Sequence, residues 1–464
     1  MATKPKIVIV GGGIAGLAAA SRLYRSGFVN VTILEASDRL GGRIQSLKVD
    51  EKNHGYIEMG AEWIHGQIAN VAYKLANDNG LVEESESRNL QFVLKNQKSI
   101  LNSDLVNQIE DLAEKLQNPS NLEFESFGEY IDNEDLGNLP NHLKIPFKDW
   151  YHRLIRSTDA CTNWYELSLP GMAQYEELEG GDVPFKSKYE DLCKIFKQDL
   201  PYNSYKVSSP VSKIESSQDK VQIWLSNDQE CIEADVVICT VSLGVLKRNS
   251  ITFLPQFSSD KCQAIQTLGF GTINKIFVEF ELPWILESKD LYLYFLYPES
   301  SNYSKVEAEK DWTRFILGVY QVIDQPKLAS FWLAGHGAKL IEELSDKVIK
   351  QGIYKLIEEF NPSIKELTNF SDNPIVKITK SQWNSNPYVC GSYSYPTVDS
   401  FKAGLGTEDL ARPEGFHRIL FAGEATSSKH YSTVHGLAEI LSSADATSFF
   451  SKSRNLSHPW LPIF

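Results

Sequence analysis

Hydrophobic runs and their spacing divide this chain into readable pieces. Ile7 to Val10 is an unbroken apolar run, the pattern of a strand buried on both faces. Ile14 to Ser26 carries helix formers and ends at Gly27, a residue suited to the position past a helix C-terminus. Val31 to Leu34 repeats the strand pattern and is closed by Glu35. The opening therefore reads strand, glycine turn, helix, strand. Further on, Leu105, Ile109, Leu112 and Leu116 recur at helical spacing within residues 101–118. A second amphipathic helix is predicted from Ser345 to Phe360, stopped by Asn361-Pro362. Between residues 205 and 240 the period changes to two: Val221 to Leu225 alternates, and Ala234 to Val241 reads as a buried strand. Residues 119–145, acidic and rich in Asn and Pro, read as a loop.

Length and charge narrow the class. At 464 residues the chain exceeds one simple core, and roughly 150 residues per domain gives two or three. No run of about 18 apolar residues occurs, so no membrane partner is expected. The first strand follows Met1 too closely for a signal peptide, and Leu461-Pro462-Ile463-Phe464 matches no retention or peroxisomal signal. The expected compartment is the cytoplasm. Cysteines 161, 193, 231, 239, 262 and 390 form no C-x-x-C pair and no metal spacing, so they are read as free thiols with no metal site. A net charge of -14 argues against nucleic acid and permits a cationic ligand. Oligomeric state is not indicated.

Gly11, Gly13 and Gly16 form G-x-G-x-x-G between the first strand and the first helix. The first glycine permits the tight turn, the second lets a pyrophosphate approach the backbone, and the third lets helix and strand pack closely. The helix N-terminus then offers unsatisfied N–H groups to an anion. Glu35 follows at the spacing of a carboxylate that holds ribose hydroxyls. These features together predict a nucleotide cofactor. Arg43, within Glu35-Ala36-Ser37-Asp38-Arg39-Leu40-Gly41-Gly42-Arg43, is placed to reach back to a phosphate.

That run resembles the flavin-binding signature of the amine oxidase superfamily, and further stretches extend the likeness from residue 7 to 445. The segments 420–426 and 431–436 resemble the second flavin-contact region, which implies that Glu424 bonds the ribityl chain and that Thr433 lies at the cofactor. Pro210-Val211 is similar to the adenine clamp, with the Val211 backbone on the base. Glu62-Trp63-Ile64-His65-Gly66, Gly269 to Lys275, and Trp383 to Tyr388 with Gly391 to Tyr395 resemble the polyamine oxidase branch. The resemblance implies that Lys275 holds a water at flavin N5. It implies that Gly60, Ala61, Trp63, Trp383 and Tyr388 line the flavin, and that His65 orients the substrate amine. Tyr393 and Tyr395 would contact the substrate, and cation–π contacts of about 0.5–2 kcal/mol suit rings around an ammonium. Glu177 falls where spermine oxidases carry an acid, whereas Gln174 stands where acetylpolyamine oxidases have a glutamate. Ser392 aligns with the cysteine through which monoamine oxidases bind their flavin, and Cys390 is offset by two, so FAD is expected to be noncovalent.

The resemblance implies an α/β fold: a Rossmann-like FAD-binding domain assembled from residues 1–80, 206–255 and 376–464, and an α+β substrate-binding domain from 81–205 and 256–375. The expected activity is oxidation of spermine or an acetylated polyamine, with molecular oxygen as the second substrate and hydrogen peroxide, an aldehyde and a shorter amine as products. One departure stands out. After His435-Gly436 the family continues into S-G-x-R-E-A, whereas here Leu437 to Ala446 lacks the glycine and the arginine. Action on another amine, or a flavoprotein-like protein that has lost catalysis, are the alternatives.

Overall fold

A computed structural model describes residues 4–49, 55–83, 89–97, 100–186, 188–226, 230–286, 291–370 and 372–436. The altered stretch 437–446 lies outside the described residues.

The apolar run Ile7–Val10 is the centre of a five-stranded, all-parallel sheet. Its order is Ile419–Phe421, Val236–Cys239, Ile7–Val10, Val31–Leu34, Tyr205–Lys206. Both faces of the central strand are buried, so successive residues serve different cores. Ile7 and Ile9 pack with Leu17, Ala20 and Leu23 of the helix Ile14–Arg25. Val8 and Val10 face Val211, Ile214 and Ile223 of a four-stranded sheet laid across the other side. The helix ends as its sequence predicts, with Ser26 as C-cap and Gly27 at φ +83°.

A six-stranded sheet forms the second half. Its order is Ile375–Lys380, Ile273–Phe280, Gln325–Ala334, Ile316–Val322, Leu291–Leu296, Asn89–Leu94. Period two sorts its side chains. Leu291, Leu293, Phe331 and Leu333 point into a core closed by Ile349, Ile353, Leu356 and Phe360 of the helix Asp346–Ile364. Tyr292, Tyr294 and Trp332, between them, face the opposite side and are only half-buried. The helix Asn141–Thr158 docks at this sheet through two buried arginines. Arg153 donates to the carbonyls of Ile316 (2.6 Å) and Phe295 (2.5 Å), and Arg156 to those of Ala334 (3.0 Å) and Thr162 (2.9 Å).

Three expectations need correction. Residues 119–145 are not a loop: Phe127–Asn133 is a helix opened by a capping box of Ser126 and Glu129, and Asn141 begins the next. Asn361-Pro362 does not stop its helix, which runs to Ile364 with Pro362 in the last turn. In the run from Ala234 to Val241 the buried strand is shorter, Val236–Cys239; Ala234 ends the strand before it, and between them Asp235 turns to accept the Lys6 N–H (2.7 Å). Packing also crosses the division drawn from sequence. Tyr189, Leu192 and Cys193 belong to the core of the parallel sheet, while Ile375–Lys380 is an edge strand of the six-stranded one.

Candidate active site

The glycine turn is built by close approach. A side chain at Gly16 would place its Cβ 2.0 Å from the Gly11 carbonyl, and Gly11 itself sits at φ +112°. Gly13 is different: its nearest neighbour to a new Cβ is Gly42 Cα at 3.9 Å, so that face is open. Gly13 is also the N-cap and supplies no side-chain cap, which leaves the first-turn amides to a ligand. Glu35 closes the turn, one carboxylate oxygen accepting from Gly12 N (2.6 Å) and the other from Ser37 N and Oγ (2.8 and 2.7 Å). The following loop folds back, with Gly41 N donating to the Gly12 carbonyl (2.9 Å). Arg43 commits one guanidinium nitrogen to the fold. Its Nη1 joins the two chain ends, donating to the Ser392 carbonyl (2.6 Å) and to Glu424 Oε1 (2.9 Å). The second Glu424 oxygen accepts from Ser394 Oγ (2.6 Å) and Ser432 N (3.0 Å).

Lys275 lies on the strand Ile273–Phe280, directly opposite Trp332 in the ladder. The register sets the ammonium over the indole, 4.5 Å from its centre. Nζ is buried and donates to Glu58 O (2.8 Å), Gly60 O (2.9 Å) and Glu62 Oε2 (2.6 Å). The neighbouring Asn274 points the other way and fixes the loop that follows Ser381: its Oδ1 accepts from Ser381 Oγ (2.8 Å) and Trp383 N (3.2 Å). Trp383 then donates its indole N–H to Met59 O (2.9 Å), beside Gly60. Burial raises the Glu58 carboxyl to about 7, although the Tyr189 N–H, Ser46 and Lys275 all oppose the rise.

Beyond Lys275 the wall is aromatic and acidic. Tyr292, Tyr294, Tyr320 and Trp332 come from one face of the six-stranded sheet, and Tyr175 and Tyr431 meet edge to face at 5.3 Å. His65 is exposed, its Nδ1 2.9 Å from Asp182 Oδ1. Glu177 and Glu179 are exposed nearby. Asp159 differs from all of these. It caps the arginine-anchored helix, its carboxylate accepts from Thr158 Oγ1 (2.9 Å), and no cation pairs with it among the described residues. Burial among the tyrosines raises its pKa to about 6.

These residues share one cavity of about 1510 Å³. All the site residues expected from the sequence line it except Gly16 and Tyr395. Gly16 serves the turn from behind. Tyr395 departs from the expectation: its ring fills the space above Gly269, packs in the helical core and bonds Glu166 (3.2 Å), which places it outside the lining. Gln174 also lies outside the lining. Sequence reasoning missed Asp159 and the four sheet aromatics. The alternation Leu291-Tyr292-Leu293-Tyr294 was a usable signal for two of them; Asp159 had none.

The family model described as flavin containing amine oxidoreductase matches residues 14–181 and 185–439. The chain belongs to that family. It is 27% identical to "Probable polyamine oxidase 5" of Arabidopsis thaliana, covering 94% of this chain and 96% of the relative. It is 29% identical to the human "Peroxisomal N(1)-acetyl-spermine/spermidine oxidase", covering 93% and 92%. "Polyamine oxidase 1" of Oryza sativa subsp. japonica is 26% identical, over 94% and 95%. This amine oxidoreductase is thus an enzyme that uses FAD, and its cavity fits that cofactor. The volume exceeds the roughly 300–1,000 Å³ of an ordinary ligand pocket, leaving room for a dinucleotide and a substrate together. The uncapped helix N-terminus and the open face of Gly13 suit a pyrophosphate, and Glu35 suits ribose hydroxyls. Cys390 is buried outside the lining with its S–H on the Pro387 carbonyl (3.3 Å), and Ser392 has no thiol, so neither offers a covalent link.

Proposed function

We propose that the chain is a polyamine oxidase that binds FAD without a covalent bond and oxidises spermine or an acetylated relative at a carbon next to a secondary amine. The observation that carries this reading is the continuity of one cavity. The same cavity is lined by the glycine turn and Glu35, by Lys275, and by Tyr175, Tyr431 and Asp159, which has no cation partner among the described residues. FAD, when bound, supplies the hydride acceptor and the protein supplies orientation and electrostatics. Asp159 holds one ammonium of the substrate inside the chamber, Glu177 draws the cation toward the mouth, and the tyrosines take the methylene spacers. His65, on Asp182, orients the amine that must be neutral before hydride leaves its α-carbon. Water then hydrolyses the imine to an aldehyde and a shorter amine, and molecular oxygen is reduced to hydrogen peroxide.

The parallel sheet and its glycine turn form a Rossmann-like FAD-binding domain in this proposal, drawn from residues 1–80, 206–255 and 376–464. Residues 81–205 and 256–375 form the substrate domain, which gives up the segment around Tyr189 to Cys193 to the parallel sheet and gains the edge strand Ile375–Lys380. Cytoplasmic residence belongs to the same proposal; the human relative carries the word peroxisomal in its name. Among the described residues no helix is long and apolar enough to cross a membrane. Anaerobic mixing of the yellow protein with spermine, acetylspermine, spermidine and a monoamine tests the reading. Bleaching by a polyamine is expected; bleaching by the monoamine alone overturns it.

A further inference from the structure

We infer that Glu62 is a positioning residue that holds Lys275 in a resting arrangement, from which an arriving substrate cation releases it. The inference rests on the polyamine reading above. An ammonium group has three N–H donors and no more. In Lys275 all three are engaged, by Glu58 O, Gly60 O and Glu62 Oε2, so none points into the cavity. Two of those acceptors are backbone carbonyls fixed by the chain. Only the Glu62 carboxylate can move, and it lines the same cavity as Lys275.

Glu62 therefore faces two cations in turn. In the resting enzyme it pairs with Lys275 at 2.6 Å, and its side chain is 23% exposed to the cavity. A substrate ammonium that enters competes for the same charge. When Glu62 swings to it, the third Lys275 N–H is freed into the chamber, and the Trp332 face, 4.5 Å away, continues to stabilise the lysine charge. The consequence falls on the oxygen step. Two electrons from the reduced cofactor and two protons convert molecular oxygen to hydrogen peroxide, and negative charge builds on oxygen on the way. A donor aimed at that charge accelerates the step; a donor engaged by Glu62 does not.

The test uses holoenzyme and 1,8-diaminooctane, a dication with no secondary amine to oxidise. Holoenzyme reduced with dithionite is mixed with oxygen, with and without the diamine, and reoxidation is followed by absorbance. Wild type is expected to reoxidise roughly tenfold faster with diamine bound. Glu62→Gln should reoxidise at the fast rate in both cases, and Lys275→Met at the slow rate in both. A crystal structure of wild-type holoenzyme with the diamine gives a second readout should Glu62→Gln lose its FAD. The Glu62–Lys275 separation is expected to open from 2.6 Å to beyond ion-pair reach. Diamine dependence that persists in Glu62→Gln, its absence in wild type, or a pair still closed beneath bound diamine each overturn the inference. Failure of every polyamine to bleach oxidised holoenzyme would instead strike the underlying reading.

Discussion

The two ends of the cavity meet opposite charges with different materials. At the glycine turn the groups that would face a pyrophosphate are backbone amides of one short segment, held by Gly11, Gly16 and the reach of Glu35 to Gly12 N. At the amine end the groups that would face a cation are side chains from distant segments: Glu62, Asp159, Glu177 and the aromatic rows of the six-stranded sheet. A backbone cradle leaves little freedom in sequence: a Cβ at Gly16 collides with the Gly11 carbonyl, one at Gly11 with Thr240, and one at Gly13 would stand where the ligand approaches. A side-chain receptor can be retuned one residue at a time. The difference predicts that substitutions at the first end abolish binding outright, whereas those at the second change rate or preference.

The largest effect should come from Gly16→Ala. Its Cβ would sit 2.0 Å from the Gly11 carbonyl, so helix and strand must separate, at a cost of about 3 kcal/mol or more. We expect colourless protein with a lowered melting temperature. Gly13→Ala is the control that sharpens this, since 3.9 Å of clearance lets the apoprotein keep its stability. Any loss of FAD there reports the ligand's own approach to the backbone. Equal damage to the apoprotein by both substitutions would break the account of the cradle.

Next in size is Lys275→Met. Methionine keeps an unbranched apolar stem, one atom shorter, and loses every donor and the charge over Trp332. Turnover should fall by about 100-fold or more while FAD is retained, a general acid–base or positioning contribution of ordinary size. Retained FAD with unchanged turnover would place the chemistry elsewhere in the cavity.

Asp159→Asn probes the amine end alone. The KM for spermine should rise roughly tenfold or more, because an amide cannot neutralise a buried ammonium, and kcat should change less. The stability of the apoprotein moves the other way. The Asp159 carboxyl is raised to about 6 by burial, so the folded state holds a proton that the unfolded chain has already lost between its ordinary value and pH 6. Its contribution to stability therefore grows unfavourable as pH rises from about 4 to about 6, is full above that, and is absent well below 4. Asp159→Asn should accordingly stabilise the apoprotein at pH 7–8, on the order of 1 kcal/mol, and change nothing near pH 3.5. Thermal melts across that range check the sign. Stabilisation without a change in KM would mean that Asp159 faces no substrate charge.

Legibility in the sequence divides along the same line. The cradle was legible because its parts lie within residues 11–43 and each glycine answers a local steric demand. Lys275 was legible through its flanking residues, and the ladder shows why they matter: Gly271 passes under the Ala160 carbonyl, and Asn274 places Trp383. Asp159 was not legible. Its position depends on Arg153 and Arg156 docking a helix that reads as part loop, partly because Pro146 interrupts the pattern. The sheet aromatics needed the register between strands far apart in sequence, which no single run contains.

The smallest effect is assigned to Tyr395, and it decides where the amine end stops. Sequence proximity groups it with Tyr393, since both follow Gly391 in one aromatic stretch. Alternation along the strand Ser394–Tyr395 and its pairing with Gly269 turn it away from the cavity and into the helical core. Its hydroxyl donates to Glu166 (3.2 Å), while Tyr393, on the cavity wall, donates to the Ser157 carbonyl (2.5 Å). Tyr395→Phe removes one partly buried hydrogen bond and leaves the ring in place over Gly269. It should cost about 1 kcal/mol of stability, lowering the melting temperature by a few degrees, and leave the KM for spermine unchanged. A rise in KM without loss of stability would restore Tyr395 to the substrate and extend the chamber past Gly269.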